Sequence, residues 1–484
     1  MIEGAGTGME RKDTARVILT AAVIVLLGVF LAGSLAATFC RLGYGFNLDY
    51  AESHTVANAV YIQQGRGLYR GMRAAPYIVP PYTPLYYYLI APFATSFQRV
   101  LFAGRLVSFG CFLAVGALVF SAVRRRSGGL AIPAVSSGFL LTSYVLFIDS
   151  SLAQINLPGL LFSVLGVWLL GEKRNKALAL VAFLLAVFTK QSMLAGMVAA
   201  CVWIGIAERP SRGFLYFCAF GIITGAFFLA LNVFTGGNFF LSAFKCNVNP
   251  MIPRLAINAY KGFFLHYSVL IVIAILGLSW RRPNIWQVYF LAGLLFAAAS
   301  AKEGSGSIYF AEPLVGLLVS FGCAMGRLNK RPGKAYAVIL LLVIAQIALT
   351  FPESGRRLRD WRGLPCAEEG LRELSAMVRS AAGPVLTETA DLSFAGGKDY
   401  FYQGPGPRFW NKEEGRYSPF VPPELLRNIA GRRFSLIAEY YLYRNREPAL
   451  MELIKENYYE ADKTYPSPLR TLKYRVWFPR EGGA

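Results

Sequence analysis

Long apolar runs recur between residues 17 and 351, and they constrain the fold more than any other feature of the chain. A helix of about 20 predominantly apolar residues is long enough to cross a lipid bilayer. Charged residues make up only 16% of the chain, compared with about 25% in soluble domains, which disfavours a large soluble protein. The sequence therefore predicts an all-α polytopic membrane protein with about eleven transmembrane helices. They lie at residues 17–40, 100–123, 130–148, 157–171, 177–190, 192–207, 214–233, 264–280, 286–301, 310–326 and 335–351.

The distribution of basic residues predicts the orientation of these helices. The net charge is +21, and the basic residues cluster in every second connection, as the positive-inside rule requires of cytoplasmic loops. Because this pattern is a topological signal, we expect no nucleic acid partner. Residues 1–16 are then cytoplasmic, and the run from Val17 to Phe39 is too long for a signal peptide and is predicted to be an uncleaved first helix. The basic connections are 124–129, 172–176, 208–213, 281–284 and 327–334.

This orientation divides the chain into a transmembrane domain, 17–351, with a long first outer loop, 41–99, and an extracytoplasmic tail, 352–484. The tail is polar and contains one helical pattern, "AEEGLRELSAMVRSAAG". Three further stretches are typical of strands: "GPVLTET", "RFSLIAEYYLY" and "LKYRVWF". We therefore expect a small C-terminal α/β domain on the outer side of the cell inner or plasma membrane.

An acidic pair lies at the start of the long outer loop, in the stretch "NLDYAESHTV". Its spacing is a variant of the capping box, in which Asp49 accepts a hydrogen bond from the amide at the third helical position and Glu52 reaches back to the cap. The same spacing places both carboxylates on one side of a helix, where they can face a cavity at the outer membrane surface. The two interpretations are compatible, because a capping carboxylate can still accept a proton or hold a substrate.

Polar residues in the other outer segments are further candidates. Lys190 and Gln191 lie between two apolar runs, where desolvating a charge is costly and a functional role is the first hypothesis, although a lysine can also snorkel to the interface. Glu312 lies just inside a predicted helix and needs a partner, for which we expect Lys302; this would be either a structural ion pair or part of a site. The remaining candidates are Arg105, Asn247, Asn249 and Tyr82, for which snorkelling or ordinary loop chemistry is an open alternative.

Six segments, taken in order, resemble one family: the multi-spanning bacterial glycosyltransferases of the GT-C superfamily, of the family-39-like type, relatives of protein O-mannosyltransferases and lipid A aminoarabinose transferases. The resemblance covers residues 15–330. It rests on the order and the topology of the six segments, because each motif alone is unspecific. The segments are "DYAE" with "GRGLYRG", "PPYTPLYYYLIAPF", "AGRLVS", "FTKQ", "GGNFFLSAFKCNVNP" and "KEGSGSIYFAEP".

The chain departs from this family at two places. Asp49 and Glu52 are spaced, whereas family members often have an adjacent Asp-Glu pair, which leaves open which carboxylate does what. Gln154 and Asn156, in "QINL", stand where many relatives have an Arg-x-Asp-like pattern. These two residues keep the ability to hydrogen-bond but lose charge, so that donor binding there is expected to differ.

The resemblance implies transfer of a sugar from a polyprenyl-phosphate donor, with the acidic motif at the reaction centre. Because a lipid phosphate is already a competent leaving group, the enzyme must activate an acceptor hydroxyl and stabilise an anion. Asp49 is the predicted general base, and Glu52 would orient the acceptor or, with Asp49, hold a divalent cation such as Mg²⁺ or Mn²⁺ if one is used. Lys190, with Arg105 or Lys302, would pair with the phosphate. Tyr82, Gln191, Asn247, Asn249 and Glu312 complete the predicted substrate and donor-phosphate site.

Direct displacement of the phosphate predicts inversion at the anomeric carbon. The sequence leaves open the sugar and the acceptor, which is a glycolipid, a glycan or a protein. Only two histidines are present, and neither they nor the cysteines have the spacing of a zinc site.

Two other functions remain open: a transporter or flippase for lipid-linked saccharides, and a non-catalytic envelope scaffold. The chain shows no internal repeat of the kind that many transporters have. A cavity at the outer face lined jointly by Asp49, Glu52 and Lys190 would favour the transferase. A pore through both faces would favour transport, and a collapsed or apolar pocket would favour the scaffold.

Overall fold

The computed structural model of the protein describes residues 6–72, 75–277, 283–330, 334–359, 364–404, 408–411, 416–440, 442–468 and 472–480. Between residues 6 and 359 these form sixteen α-helices. The helices are α1 (Gly6–Leu42), α2 (Tyr50–Gln63), α3 (Leu85–Ile90), α4 (Phe97–Ser127), α5 (Ala131–Leu141), α6 (Tyr144–Phe147), α7 (Asn156–Lys173), α8 (Lys176–Thr189), α9 (Ala195–Ala207), α10 (Pro210–Phe234), α11 (Asn238–Ala243), α12 (Pro253–His266), α13 (Ser268–Leu276), α14 (Ile285–Ala297), α15 (Ala311–Asn329) and α16 (Lys334–Arg359).

Ten of the eleven predicted transmembrane segments coincide with a helix or a bent pair of helices. Among the described residues, α1, α4, α10 and α15 are each long and apolar enough to cross a membrane, and two bent pairs raise this number from four to six. The pairs are α5 with α6, bent by 53°, and α12 with α13, bent by 73°. Since α8, α9, α14 and α16 are shorter apolar helices, the span count of eleven remains a prediction.

The structure differs from the sequence prediction at the segment 264–280. Here α12 begins at Pro253, and the chain bends sharply before α13 begins at Ser268. Charged residues such as Arg254 and Lys261 interrupt the apolar pattern of α12, so hydropathy alone does not reveal this helix. Residues 278–280 lie outside the described part of the chain.

Helix α15 lies at the centre of the helical bundle. It is buried from Ala311 to Gly326, and it packs against α14, α13, α4 and α5. Glycines allow the closest approach: a Cβ on Gly316 would lie 2.6 Å from the amide nitrogen of Phe290. Small residues at such contacts are usual where helices pack in lipid. On α10, in contrast, only Gly213 and Phe220 are buried, as expected of an apolar helix at the edge of a bundle.

The C-terminal segment forms the predicted α/β domain. A five-stranded sheet has the order β1-β4-β7-β5, with β6 paired to β7; β1 and β4 are parallel, and the other pairs are antiparallel. The predicted helix and three predicted strands correspond to α17, β1, β4 and β7. The elements are α17 (Leu364–Ser380), β1 (Val385–Thr387), α18 (Ala390–Ala395), β2 (Arg408–Asn411), β3 (Arg416–Pro419), α19 (Pro423–Ala430), β4 (Leu436–Glu439), α20 (Leu442–Arg446), α21 (Pro448–Asn457), β5 (Tyr458–Glu460), β6 (Tyr465–Pro466) and β7 (Lys473–Pro479).

The C-terminal domain packs directly on α2, the helix that carries the acidic pair. The Ser53 hydroxyl accepts a hydrogen bond from the amide of Ala390 at 2.7 Å. His54 Nε2 lies 3.1 Å from the Tyr400 hydroxyl, and burial lowers the pKa of His54 to about 3, so its imidazole is neutral at pH 7. Helix α2 is thus held between the transmembrane helices and the C-terminal domain.

Candidate active site

Asp49 is the N-cap of α2. Its Oδ1 accepts a hydrogen bond from the amide of Ala51 at 2.8 Å. Glu52 reaches back, as the capping box requires, but its Oε2 accepts from the amide of Leu48 at 2.8 Å, one residue before the cap. The predicted cap is therefore present, but each carboxylate accepts its hydrogen bond from an amide one residue earlier in the chain than the capping box predicts. The two carboxylates consequently have different orientations.

The Glu52 carboxylate is buried against Arg105 of α4. Arg105 Nε and Nη2 each lie 2.8 Å from one Glu52 oxygen, and both side chains are fully buried. Glu52 Oε1 also accepts from the amide of Ala153 at 2.7 Å. With the Leu48 amide, the carboxylate accepts four hydrogen bonds, which is its ordinary capacity.

Arg105 is equally committed. Besides the two bonds to Glu52, it donates to the carbonyl oxygens of Arg41, Tyr44 and Phe46. A guanidinium has five N–H donors, and these contacts use all of them. The prediction that Arg105 binds a phosphate therefore does not fit this arrangement, and neither does the prediction that Glu52 orients an acceptor. The pair ties the end of α1 and the outer loop to α4.

Asp49, in contrast, accepts two hydrogen bonds in the described part of the chain, both at Oδ1. It is partly exposed, and the hydrogen bond from Gln154 Nε2 measures 3.3 Å. Burial raises the pKa of Asp49 to about 6; the charges of Glu52 and Asp149 raise it further, whereas the Ala51 amide and Arg41 lower it. Asp49 is thus mostly ionised at pH 7 and titrates close to neutrality.

A chain of polar side chains connects Asp49 to Lys190. Asn156 Nδ2 donates to Gln154 Oε1 at 3.1 Å and to Asp149 Oδ1 at 2.5 Å. Lys190 Nζ donates to Asn156 Oδ1 at 2.9 Å. The two amides of "QINL", where the family resemblance would place charged residues, are therefore the bridge between the carboxylate and the ammonium group. We call this chain from Asp49 to Lys190 the polar network.

Lys190 ends the polar network at a largely apolar cavity. Its side chain is 4% exposed, and Nζ lies 4.9 Å from the centre of the Tyr309 ring. The cavity has a volume of about 200 Å³. Its lining is Lys190, Ser192, Met193, Leu194, Phe296, Ala299, Ile308, Tyr309 and Glu312. A cation at the edge of an apolar cavity suits a ligand with an anionic head and a hydrocarbon tail.

The expected pairing of Glu312 with Lys302 is wrong. Glu312 Oε1 accepts hydrogen bonds from the Ser163 hydroxyl at 2.6 Å and the Tyr289 hydroxyl at 3.2 Å. Lys302 Nζ donates instead to the backbone and side-chain oxygens of Asn247. Glu312 satisfies its buried carboxylate with hydroxyl groups on α7 and α14, because these are the helices that pack against it.

The remaining predicted polar residues hold the outer loops together. Gln191 and Asn247 both donate to the carbonyl oxygen of Pro81 at 2.9 Å, and Asn249 donates to the carbonyl oxygen of Glu303 at 2.9 Å. Tyr82 lies between these loops and the polar network: burial raises its pKa, with electrostatic contributions from Tyr309, Tyr50, Asp49 and Asp149.

Two residues near the network were missed by the sequence reasoning. Asp149 lies in the same outer connection as the start of "QINL". An acidic side chain in an outer connection was a signal from which the sequence reasoning could have identified it as a site candidate. Tyr440 comes from the C-terminal domain; burial raises its pKa, to which Asp49 contributes electrostatically. No local pattern in the sequence signals that contact, because about 390 residues separate the two and only tertiary packing unites them.

A divalent cation held by Asp49 and Glu52 does not fit the donor set, because Arg105 and two amides already occupy the Glu52 oxygens. Among the described residues, no group of three or more His, Cys, Asp or Glu side chains is placed to hold a metal ion.

Comparison with solved structures places this arrangement in a known fold. ArnT from Cupriavidus metallidurans in its apo state matches with a TM-score of 0.60 over 93% of this chain and 97% of that chain, at 12% identity. The same protein bound to undecaprenyl phosphate matches with a TM-score of 0.59 over 94% and 99%, also at 12% identity. The chain has the GT-C fold.

A third GT-C structure is more distant. The Archaeoglobus fulgidus oligosaccharyltransferase, in complex with zinc and sulfate, matches with a TM-score of 0.51 over 93% of this chain and 72% of that chain, at 12% identity. No family model matches the sequence, and no curated protein matches it. Because the C-terminal domain is about a quarter of the chain, a match over 93% includes most of it. The GT-C likeness therefore extends to both parts of the molecule.

Proposed function

We propose that this protein is a membrane glycosyltransferase that moves a sugar from a polyprenyl-phosphate donor to an acceptor hydroxyl at the outer face of the membrane. The observation that carries the proposal is the polar network, which joins the Asp49 carboxylate to the Lys190 ammonium group beside an apolar cavity. The GT-C fold supports it, since one of the matching structures is bound to undecaprenyl phosphate.

Asp49 acts as the general base. Its carboxylate takes the proton of the acceptor hydroxyl while the acceptor oxygen forms a bond to the anomeric carbon. The bond from that carbon to the phosphate oxygen breaks at the same time, so the sugar is transferred with inversion. A base with a pKa near the working pH is efficient, and the pKa of about 6 for Asp49 is consistent with this role.

Lys190 stabilises the departing phosphate. A charge-assisted hydrogen bond from an ammonium group to a phosphate oxygen strengthens as negative charge develops on that oxygen. The apolar lining of the cavity beside Lys190 suits the first isoprene units of the donor. Exchange of the Asn156 contact for a phosphate oxygen would leave Asn156 in place, because its amide also bonds to Asp149 and Gln154.

Glu52 and Arg105 act as positioning residues. Their buried pair fixes the start of α2 relative to α4, and therefore sets the direction of the Asp49 carboxylate. Lys302, Gln191 and Asn247 shape the rim of the site by binding loop carbonyl groups. Tyr82 offers an aromatic face beside the carboxylates for a sugar or acceptor.

The proposed orientation follows the basic connections. The N-terminus lies in the cytoplasm, and the C-terminal domain lies outside an inner or plasma membrane. The reaction then takes place where nucleotide sugars are scarce, which favours a lipid-linked donor. The acceptor is a glycolipid, a glycan or a protein that reaches the outer face.

The proposal is tested by incubating the purified protein with a panel of polyprenyl-phosphate sugars, with and without a chelator. We expect release of polyprenyl phosphate from one donor class, and loss of this release in the Asp49→Asn variant. Absence of release from every donor, with transport of an intact lipid-linked sugar across vesicles instead, would overturn the proposal in favour of a flippase.

A further inference from the structure

A second pocket lies outside the polar network, where the C-terminal domain meets the outer loop and the start of α4. Its volume is about 390 Å³. One wall is the segment Gly45–Phe46, a second is Gln98 at the start of α4, and a third is a stripe of α17 with Ala395 beside it. The α17 residues are Glu368, Arg372, Ser375, Ala376 and Arg379.

The stripe on α17 presents two guanidinium groups to the pocket. Arg372 and Arg379 are seven residues apart, so they lie on one face of the helix, two turns apart. Arg372 donates to Glu368 at 2.8 Å and is still 74% exposed, while Arg379 donates to the carbonyl oxygen of Ala395 at 2.9 Å. Each guanidinium keeps other N–H groups for a ligand. The pocket has a net positive charge, because its lining contains two guanidinium groups and one carboxylate.

Ser375 provides an independent sign of a ligand. Its side chain is 5% exposed, and its hydroxyl group has no hydrogen-bond partner in the part of the chain that the structure describes. An unpaired buried hydroxyl is unfavourable. If the Ser375 side chain rotates toward the pocket, a bound group with acceptor oxygens would satisfy the hydroxyl and both arginines together, which is the chemistry of a phosphate.

The position of the pocket relates it to the membrane surface. Gln98 is the second residue of α4, which is a candidate membrane span from Phe97 to Ser127. Large apolar side chains next to it are exposed, including Phe93 at 52%, Phe102 at 46% and Leu106 at 44%. The pocket therefore lies where the apolar surface of the bundle ends and the polar domain begins, at the depth of lipid headgroups.

We propose that this pocket binds the phosphate of an outer-leaflet lipid headgroup, with the acyl chains along the apolar surface beside α4. The site does not depend on the proposed sugar transfer. It is nevertheless connected to the polar network, because the carbonyl oxygen of Phe46, at the pocket wall, accepts a hydrogen bond from Arg105 at 2.7 Å. A bound headgroup would stabilise the segment that holds the Arg105–Glu52 pair.

The test is equilibrium binding to the purified full-length protein in a non-ionic detergent, measured by calorimetry. The ligands are dioctanoyl phosphatidic acid, dioctanoylglycerol and inorganic phosphate. We expect the phosphatidic acid to bind, and the variant Arg372→Ala with Arg379→Ala to weaken its binding by roughly tenfold or more. Arg475→Ala serves as the matched control, because this arginine also pairs with a glutamate, Glu460, and lies on the sheet of the same domain.

A second variant guards against misfolding. Ala376→Glu places a negative charge in the pocket at an exposed helical position, so it should fold normally and still lose phosphatidic acid binding. Equal binding of dioctanoylglycerol, equal binding of inorganic phosphate, or unchanged binding in both pocket variants would each overturn the proposal.

Discussion

At the scale of single residues, the two carboxylates that a simple spacing rule groups together have different environments. The Glu52 carboxylate accepts hydrogen bonds from Arg105 and two backbone amides, whereas Asp49 is a partly exposed residue at the end of the polar network. This difference is the basis on which we propose a positioning role for Glu52 and proton transfer for Asp49. The distinction has consequences for pH dependence and for substitutions.

The pH dependence of transfer should follow Asp49. Its carboxylate must be ionised to accept a proton, so kcat/KM should fall as the pH decreases through about 6, where an ordinary aspartate would titrate near 4. Burial raises the pKa of Asp391 to about 6 as well, and so Asp391→Asn is the matched control. If the acid limb persists in Asp391→Asn, the assignment to Asp49 stands; if it disappears there, Asp391 is the group that titrates.

Substitution of Arg105 should affect stability before chemistry. Arg105→Ala leaves Glu52 buried without its counter-charge, which typically costs about 3–5 kcal/mol. Thermal unfolding in detergent should show a large decrease in Tm for Arg105→Ala and a much smaller one for Lys190→Gln. A stable Arg105→Ala protein with weakened undecaprenyl phosphate binding would instead restore the predicted phosphate role of Arg105.

Lys190 should determine affinity for the lipid phosphate. Lys190→Gln removes one charge-assisted hydrogen bond, so the Kd for undecaprenyl phosphate should rise roughly 10- to 100-fold, with little change for undecaprenol. Lys302→Gln is a suitable control, because Lys302 binds Asn247 and does not line the cavity beside Lys190. Equal effects of the two substitutions would argue against a specific phosphate contact at Lys190.

At the scale of the elements, the helices were predictable and their partners were not. Apolar runs and the strand patterns of the C-terminal domain depend on local sequence, so α1 or β7 can be located from it directly. The Arg105–Glu52 pair links residues 53 positions apart, and an arginine within an apolar run has the same local pattern whether it snorkels or pairs. The sequence predicted the wrong partner for Glu312, because it indicates the depth of a side chain in the membrane only coarsely.

Close packing of α14 on α15 gives a prediction for two glycines. Ala at Gly316 would place a Cβ 2.6 Å from the backbone of α14, whereas at Gly221 on α10 it would meet nothing within 4 Å. Gly316→Ala should therefore destabilise the protein by about 1–3 kcal/mol, and Gly221→Ala should be neutral or stabilising by up to about 1 kcal/mol. Chemical unfolding of both variants measures this; equal stabilities would contradict the packing.

At the scale of the whole molecule, the C-terminal domain and the transmembrane helices share the site. Helix α2 lies between them, with Ser53 and His54 in contact with the domain and Glu52 in contact with α4. This arrangement requires the domain to be on the same side of the membrane as the outer loop. The charge pattern predicted the side, but no pattern within the chain predicted the contact.

The orientation is testable with cysteine labelling. Cys366 on α17 is exposed, so a variant that retains only this cysteine should react with a membrane-impermeant maleimide in intact cells. A cysteine placed at Ser211, in the basic connection 208–213, should react only after the membrane is permeabilised. The reverse pattern would invert the topology and move the site to the cytoplasm.

The central claim is that Asp49 performs the chemistry and does not merely cap a helix. The most direct measurement compares Asp49→Asn with the unsubstituted protein for kcat, for the Kd of undecaprenyl phosphate and for Tm. Because asparagine can still accept the hydrogen bond from Ala51, we expect an unchanged Tm and Kd and a decrease in kcat of about 10²–10⁴-fold. Transfer at an undiminished rate by the folded Asp49→Asn protein would contradict the account.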